Sequence, residues 1–192
     1  MRLLIALVSA VLFGSALAQA GMPDPHDWDA VLADAKGETV YFYAWGGEPR
    51  INDYIAWARR SVEERFGVRV IHVKVTDTAE VVSRVLTEKA AGRSKGGAVD
   101  LVWINGENFA AMRREGLLQP MSWSAALPNY RFVDVEGKPS VERDFTVPVD
   151  GLEAPWGMAK LVFFHDTARL ADPPTSAAAL AGWIAANPGG FT

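Results

Sequence analysis

Three times between Val40 and Asn108 a strand-like apolar run breaks into a polar loop and gives way to a helix. The loops are Trp45-Gly46-Gly47-Glu48-Pro49-Arg50, Thr76-Asp77-Thr78 and Asn105-Gly106-Glu107-Asn108. Strands that alternate with amphipathic helices predict an α/β fold built on a mainly parallel sheet. Ligands of such sheets bind beyond the carboxyl ends of the strands, beside the first helical turns. The alternation therefore predicts that the three loops gather along one rim, as one wall of a small-molecule cleft.

The elements around the loops follow from spacing. Trp28 to Ala35 reads as a short helix ended by Gly37, and Thr39 to Ala44 as a first strand. Ile51, Tyr54, Ile55, Ala58, Val62 and Phe66 recur at helical spacing, with Arg59, Arg60, Glu63 and Glu64 mostly off the stripe. Gly67 stands where a helix ends. Val68 to Val75 reads as a second strand, and Asp77 with Glu80 resembles a capping box for a helix with Val82, Val85, Leu86 and Ala90 inward. Asp100 to Asn105 is apolar enough for a strand buried on both faces. A helix is expected from Phe109 to Glu115, a long irregular connection from Pro120 to Pro148 with a turn at Glu136-Gly137-Lys138, a fourth strand from Lys160 to His165, and a last helix after Asp172-Pro173-Pro174-Thr175. Gly92 to Gly97 is basic and glycine-rich, but it follows a helix and lacks phosphate-loop spacing, so it reads as a helix stop and surface loop.

Composition narrows the function. The chain has 192 residues, 49% of them hydrophobic and 22% charged, and a net charge of -4. That balance does not suit a nucleic-acid binder. With no cysteine there is no disulfide, thiolate metal site or cysteine nucleophile. Residues 1–20 have the form of a secretory signal: Arg2, an apolar run from Leu3 to Leu17, and small residues at Ala16, Ala18 and Ala20. A retained membrane anchor fits less well, because Ser9, Gly14 and Ser15 interrupt a run already short for a span. The mature chain is expected to be soluble outside the cytoplasm, without a lipid anchor.

Together these features carry a resemblance. The leader, Val40-Tyr41-Phe42-Tyr43-Ala44-Trp45-Gly46-Gly47, Thr76-Asp77-Thr78, Lys89-Ala90-Ala91-Gly92, Asp100-Leu101-Val102-Trp103-Ile104-Asn105-Gly106-Glu107-Asn108-Phe109 and Pro155-Trp156-Gly157-Met158-Ala159 resemble the extracytoplasmic solute-binding proteins of ABC importers. Within them the likeness is to the YnjB-type subgroup, which is similar to thiamine- and polyamine-binding proteins. The resemblance implies a periplasmic-binding-protein-like fold of two lobes, each with a mainly parallel sheet, closing on a solute and docking on a membrane permease. It implies lobe one over 21–147, a hinge crossing over 148–160, and the start of lobe two over 161–192. Because such proteins are roughly twice the size of one ~150-residue domain, the sequence reads as a longer protein that ends early. A monomer is expected, and no cofactor.

The residues expected to bind ligand are Trp45, Gly46, Gly47, Thr76, Asp77, Thr78, Asn105, Gly106, Glu107, Asn108, Trp156 and Gly157. Trp45 and Trp156 adjoin glycines, where an indole face can meet an aromatic ring or a cation; both could equally plug a core. Trp103, in mid-strand, reads as core. The free N–H groups of helix N-termini suit an anion, but Glu48, Asp77 and Glu107 share these loops and repel one. An amine-bearing solute fits better, with Glu107 and Asp77 as candidate counter-charges, although the plainer reading of Asp77 is a helix cap. The rival class is an exported α/β enzyme such as a hydrolase. It has little support: there is no Gly-x-Ser-x-Gly elbow, His26, His72 and His165 lack metal-ligand spacing on a helix, and His72 reads as a satisfied sheet residue.

Overall fold

The structure, a computed structural model, describes residues 23–120, 122–157 and 162–192. The signal expected over 1–20 lies outside the described residues. By its internal contacts the chain divides into two compact units, one ending at Pro155 and the other running from Trp156 to Thr192.

In the first unit α1 (Trp28–Ala35) leads into β1 (Thr39–Trp45), followed by α2 (Pro49–Phe66), β2 (Arg69–Val75), α3 (Thr78–Ala90), β3 (Leu101–Val102) and α4 (Gly106–Arg114). The three strands form a parallel sheet in the order β2-β1-β3. β1 pairs with β2 from Thr39↔Arg69 to Trp45↔Val75, and with β3 at Phe42↔Leu101 and Tyr43↔Val102. This is the mainly parallel α/β arrangement that the alternation predicts.

Successive side chains of β1 leave opposite faces. Phe42 lies beside His72, whose imidazole feels the charge of Arg59 on α2. Its neighbour Tyr43 meets the guanidinium of Arg84 on α3. α2 and α3 thus cover opposite faces of the sheet, as right-handed crossovers running outward in two directions require. The strand order reverses between β1 and β3. The core is small: Ala44, Ile55, Val81, Phe109 and Met112 are buried, and Phe109 and Val81 each gain about 2 kcal/mol by leaving water.

The helix limits have local causes. Glu48 caps α2, its carboxylate accepting from the Ile51 amide at 2.9 Å, and Pro49 follows in the first turn, where its missing N–H costs nothing. Gly67, at φ +70°, ends α2 in the left-handed conformation open to glycine. α3 stops at Ala90, and Gly92 and Gly96 both take positive φ in the loop beyond.

Several expectations need correction. β3 has two residues instead of six, although the Trp103 amide continues toward the Tyr43 carbonyl at 2.8 Å. Leu101 is 46% exposed, because β3 has β1 on one side and no described strand on the other. The inward face of α3 is shifted: Val81 is buried, whereas Leu86 is 44% exposed. Asp77 caps α3 as expected, but Glu80 accepts from the Thr76 hydroxyl at 2.8 Å, so the reciprocal half of a capping box is not made. Arg59 is not turned away from the sheet; its Nε donates to the Val70 carbonyl at 2.5 Å. α4 begins at Gly106, three residues before the expected start.

The connection from Pro120 to Pro148 contains 3-10 turns at Ser122–Ala126, Pro128–Phe132 and Pro139–Glu142. It ends in a small antiparallel hairpin of β4 (Arg143–Asp144) and β5 (Val147–Pro148). In the second unit α5 (Ala177–Ala186) is capped by the Ser176 hydroxyl, and the rings of Phe163 and Phe191 stand 6.1 Å apart. Lys160 and Leu161 of the expected fourth strand lie outside the described residues. Residues 162–165 pair with no described strand, and Phe164 is 94% exposed. No helix among the described residues is long and apolar enough to cross a membrane.

Candidate functional site

The parallel order puts the loops after β2, β1 and β3 side by side at the carboxyl edge of the sheet. Two hydrogen bonds tie the corners together. The Gly46 amide donates to the Val75 carbonyl at 3.1 Å, linking the first loop to the end of β2. The Thr78 hydroxyl, in the first turn of α3, donates to the Trp103 carbonyl at 3.3 Å, linking the second corner to the third. The first-unit residues singled out from the sequence therefore share one rim.

Their side chains have distinct settings. Trp45 is 40% exposed, and its indole folds so closely over Gly47 that a Cβ there would stand 2.6 Å from the ring. At Gly46 an added Cβ would meet the Lys74 side chain at 2.8 Å, and the Gly46 carbonyl accepts from Asn52 Nδ2 at 2.9 Å. Both glycines are thus required by close approach. Thr76 is engaged by Glu80, and Asp77 spends a carboxylate oxygen on the Ala79 amide at 2.8 Å. Glu107 is exposed in the first turn of α4, with Asn108 half-buried after it. Trp156, half exposed, and Gly157 open the second unit.

At the third corner the cap comes from far along the chain. Asn105 holds the cap position but makes no side-chain cap bond. Instead the Gly106 amide donates to Asp144 Oδ2 at 2.5 Å, a carboxylate brought in by β4 from 38 residues away. Gly106 takes φ +59°, and the Phe145 ring would lie 3.3 Å from a Cβ at that position. Burial raises the pKa of Asp144, against which the Gly106 N–H bond acts. Burial also pushes the Glu153 carboxyl up to about 7, and the negative charge of Asp144 adds to the effect. The sequence reading missed Asp144, Phe145 and Glu153. The one available signal was the length of the irregular stretch before Pro148, which marks a functional connection but names no residue.

Each helix N-terminus along the rim thus already holds a carboxylate of the chain: Glu48 at α2, Asp77 at α3 and Asp144 at α4. A bare anion would meet occupied N–H groups and negative charge at every corner, whereas an ammonium group would meet acceptors. His72 Nε2 is 3.2 Å from the Ala44 carbonyl inside the sheet, and burial, foremost, lowers its pKa. His165 Nδ1 is 3.0 Å from the Leu170 carbonyl. A shallow groove of about 540 Å³ also exists between α1 and the end of α2, lined by Leu32, Lys36, Glu63 and Phe66 among others. It lies at the amino-terminal edge of the sheet, opposite the rim.

Residues 57–192 match the family described as bacterial extracellular solute-binding protein. Protein YnjB of Escherichia coli strain K12 is 42% identical over 166 residues, which cover 86% of this chain and 42% of that relative. The chain therefore spans less than half the length of the relative it matches. A match over well more than half of the chain, together with the parallel α/β sheet, shows that the chain belongs to the bacterial extracellular solute-binding protein family.

Proposed function

We propose that the protein is the solute-capturing component of an ABC import system in the periplasm, binding a small cationic or amine-bearing solute by lobe closure and delivering it to the permease. Family membership is the observation that carries this reading. Residues 1–20 direct export, 21–147 belong to lobe one, 148–160 cross the hinge, and 161–192 begin lobe two. The division of the chain after Pro155, within 148–160, supports that hinge assignment. The protein acts as a monomer and performs no chemistry on its cargo.

In this reading the solute sits against Trp45, Gly46, Gly47, Thr76, Asp77, Thr78, Asn105, Gly106, Glu107 and Asn108, and Trp156 and Gly157, within the hinge crossing, are the further candidate contacts. The three carboxylates at the helix N-termini support a cationic solute over an anionic one. Glu107, exposed in the first turn of α4, is its counter-charge, and the exposed Trp45 offers an aromatic face. Asp77 contributes mainly through its cap, which leaves Glu107 the principal contact.

The test is calorimetric titration of the full-length protein with thiamine, putrescine, spermidine, sulfate and phosphate, beside a panel of chromogenic esters and phosphates. The expected result is saturable one-to-one binding of one of the amines with no turnover. Turnover that disappears on replacing His72 or His165 would overturn the carrier reading in favour of an exported hydrolase.

A further inference from the structure

Residues 143–153 form a strap along α4. At the start of the helix, Asp144 Oδ2 accepts from the Gly106 amide and the Phe145 ring rests on Gly106. At its end, Arg113 donates to the Pro148 carbonyl and pairs with Asp150 Oδ2 at 2.5 Å. Two non-glycine residues in the strap adopt left-handed backbone, Phe145 at φ 52° and Asp150 at φ 44°. They stand at these two anchors. Such conformations are strained for residues with a side chain and persist where surrounding contacts over-determine them. The strap is therefore held in place, and its register decides which group reaches Gly106.

The corner of α4 differs from the other two. Glu48 and Asp77 cap their helices from within their own loops, two or three residues from the amide they hold. Asn105 stands in the equivalent place at α4 and makes no such bond, so the corner would be open without the strap. The carboxylate that fills it comes from a different part of the chain.

We propose that Asp144 is a specificity-determining residue of the rim: seated on the α4 N-terminus by the strap, its carboxylate takes the place an anionic group of a solute would otherwise occupy. The inference rests on the rim being the solute-facing wall. It assigns to Asp144 the exclusion of anions, a role separate from contact with the bound solute. Phe145 and the Arg113 clamp position the carboxylate and do not themselves read the ligand.

The sequence offers a clean probe, because Asn105–Gly106 is its one Asn–Gly pair. Labelling Asn with carbon-13 and Gly with nitrogen-15 isolates the Gly106 amide in the spectrum of the full chain. Sulfate is titrated into wild type, Asp144→Ala and Asp144→Asn; the spread of the remaining glycine signals shows that each variant is folded. The wild-type Gly106 signal is expected to show no saturable shift. Asp144→Ala should bind sulfate at that amide at least about tenfold more tightly, the scale of one charge at a helix N-terminus. Asp144→Asn, which keeps the shape and loses the charge, should gain less. A saturable wild-type shift as tight as that of the alanine variant would overturn the proposal, as would the absence of any gain in both variants. Because the readout is the Gly106 amide and sulfate, it stands even if the full chain retains no amine, so the two readings can fail separately.

Discussion

Replacing Glu153 with glutamine isolates the cost of keeping a second carboxyl close to Asp144 in a half-buried setting. Burial, reinforced by the Asp144 charge, raises the Glu153 pKa from 4.5 to about 7. At about 1.36 kcal/mol per tenfold change, a shift of that size sets a ceiling of roughly 3 kcal/mol. Solvent reaches part of the side chain and screens the charge, so about 1–2 kcal/mol is the expected effect. The sign follows from proton counts. Between pH 4.5 and about 7 the native chain holds the Glu153 proton more tightly than the unfolded chain does, so stability falls as pH rises through that window and levels off above it. Glutamine cannot ionise and removes this slope. Urea unfolding of the full-length protein at about pH 5 and about pH 8 reads the difference: the glutamine variant should gain about 1–2 kcal/mol on wild type between the two conditions. Parallel stability curves, or a variant that loses ground toward pH 8, would refute the reasoning about this carboxyl.

Three further substitutions examine other parts of the rim. Gly106→Ala should destabilise by about 1–2 kcal/mol, because alanine is strained in the left-handed region. It also forces the Phe145 ring, 76% exposed and free to yield, a few tenths of an ångström aside. Thermal unfolding checks this, and an unchanged midpoint would contradict the account of that corner. In the full-length protein Trp45→Ala and Glu107→Gln should each weaken an amine solute by about 1–3 kcal/mol, the scale of a buried aromatic contact or a charge-assisted bond. Calorimetry measures it, and tighter sulfate binding in Glu107→Gln without loss of amine binding would contradict the cation assignment.

How much was legible in the sequence depends on where each residue's partners lie. α1, α2 and the first two strands could be read to within about two residues, because their causes are local: Gly37 and Gly67 after helices, and apolar spacing between; α2 nevertheless takes in Pro49 and Arg50, which the sequence places in the loop before it. The Asp77 cap is equally local. β3 failed at its limits because its burial depends on which strands flank it, and an apolar run cannot say whether it lies at an edge. The face of α3 was misjudged by about one position for a related reason: Val81 and Val82 are adjacent and equally apolar, and only the sheet beneath decides that Val81 is the buried one. At the site, the three loops and their glycines were visible because the turn chemistry is written beside them. Asp144 and Phe145 were not, since their meaning lies in contacts at Gly106, 38 residues before Asp144, and that of Glu153 lies in its burial and the charge of Asp144. No periodicity encodes such a contact.

The central claim is that the rim holds an amine-bearing cargo without altering it. Native mass spectrometry of the full-length protein recovered directly from the periplasm tests this most simply, by weighing what the protein carries. The account predicts a one-to-one complex whose added mass belongs to an unmodified solute with at least one amine or quaternary nitrogen, lost on Glu107→Gln. A carried sulfate, phosphate or other anion, or a mass that changes with incubation as a product would, contradicts it.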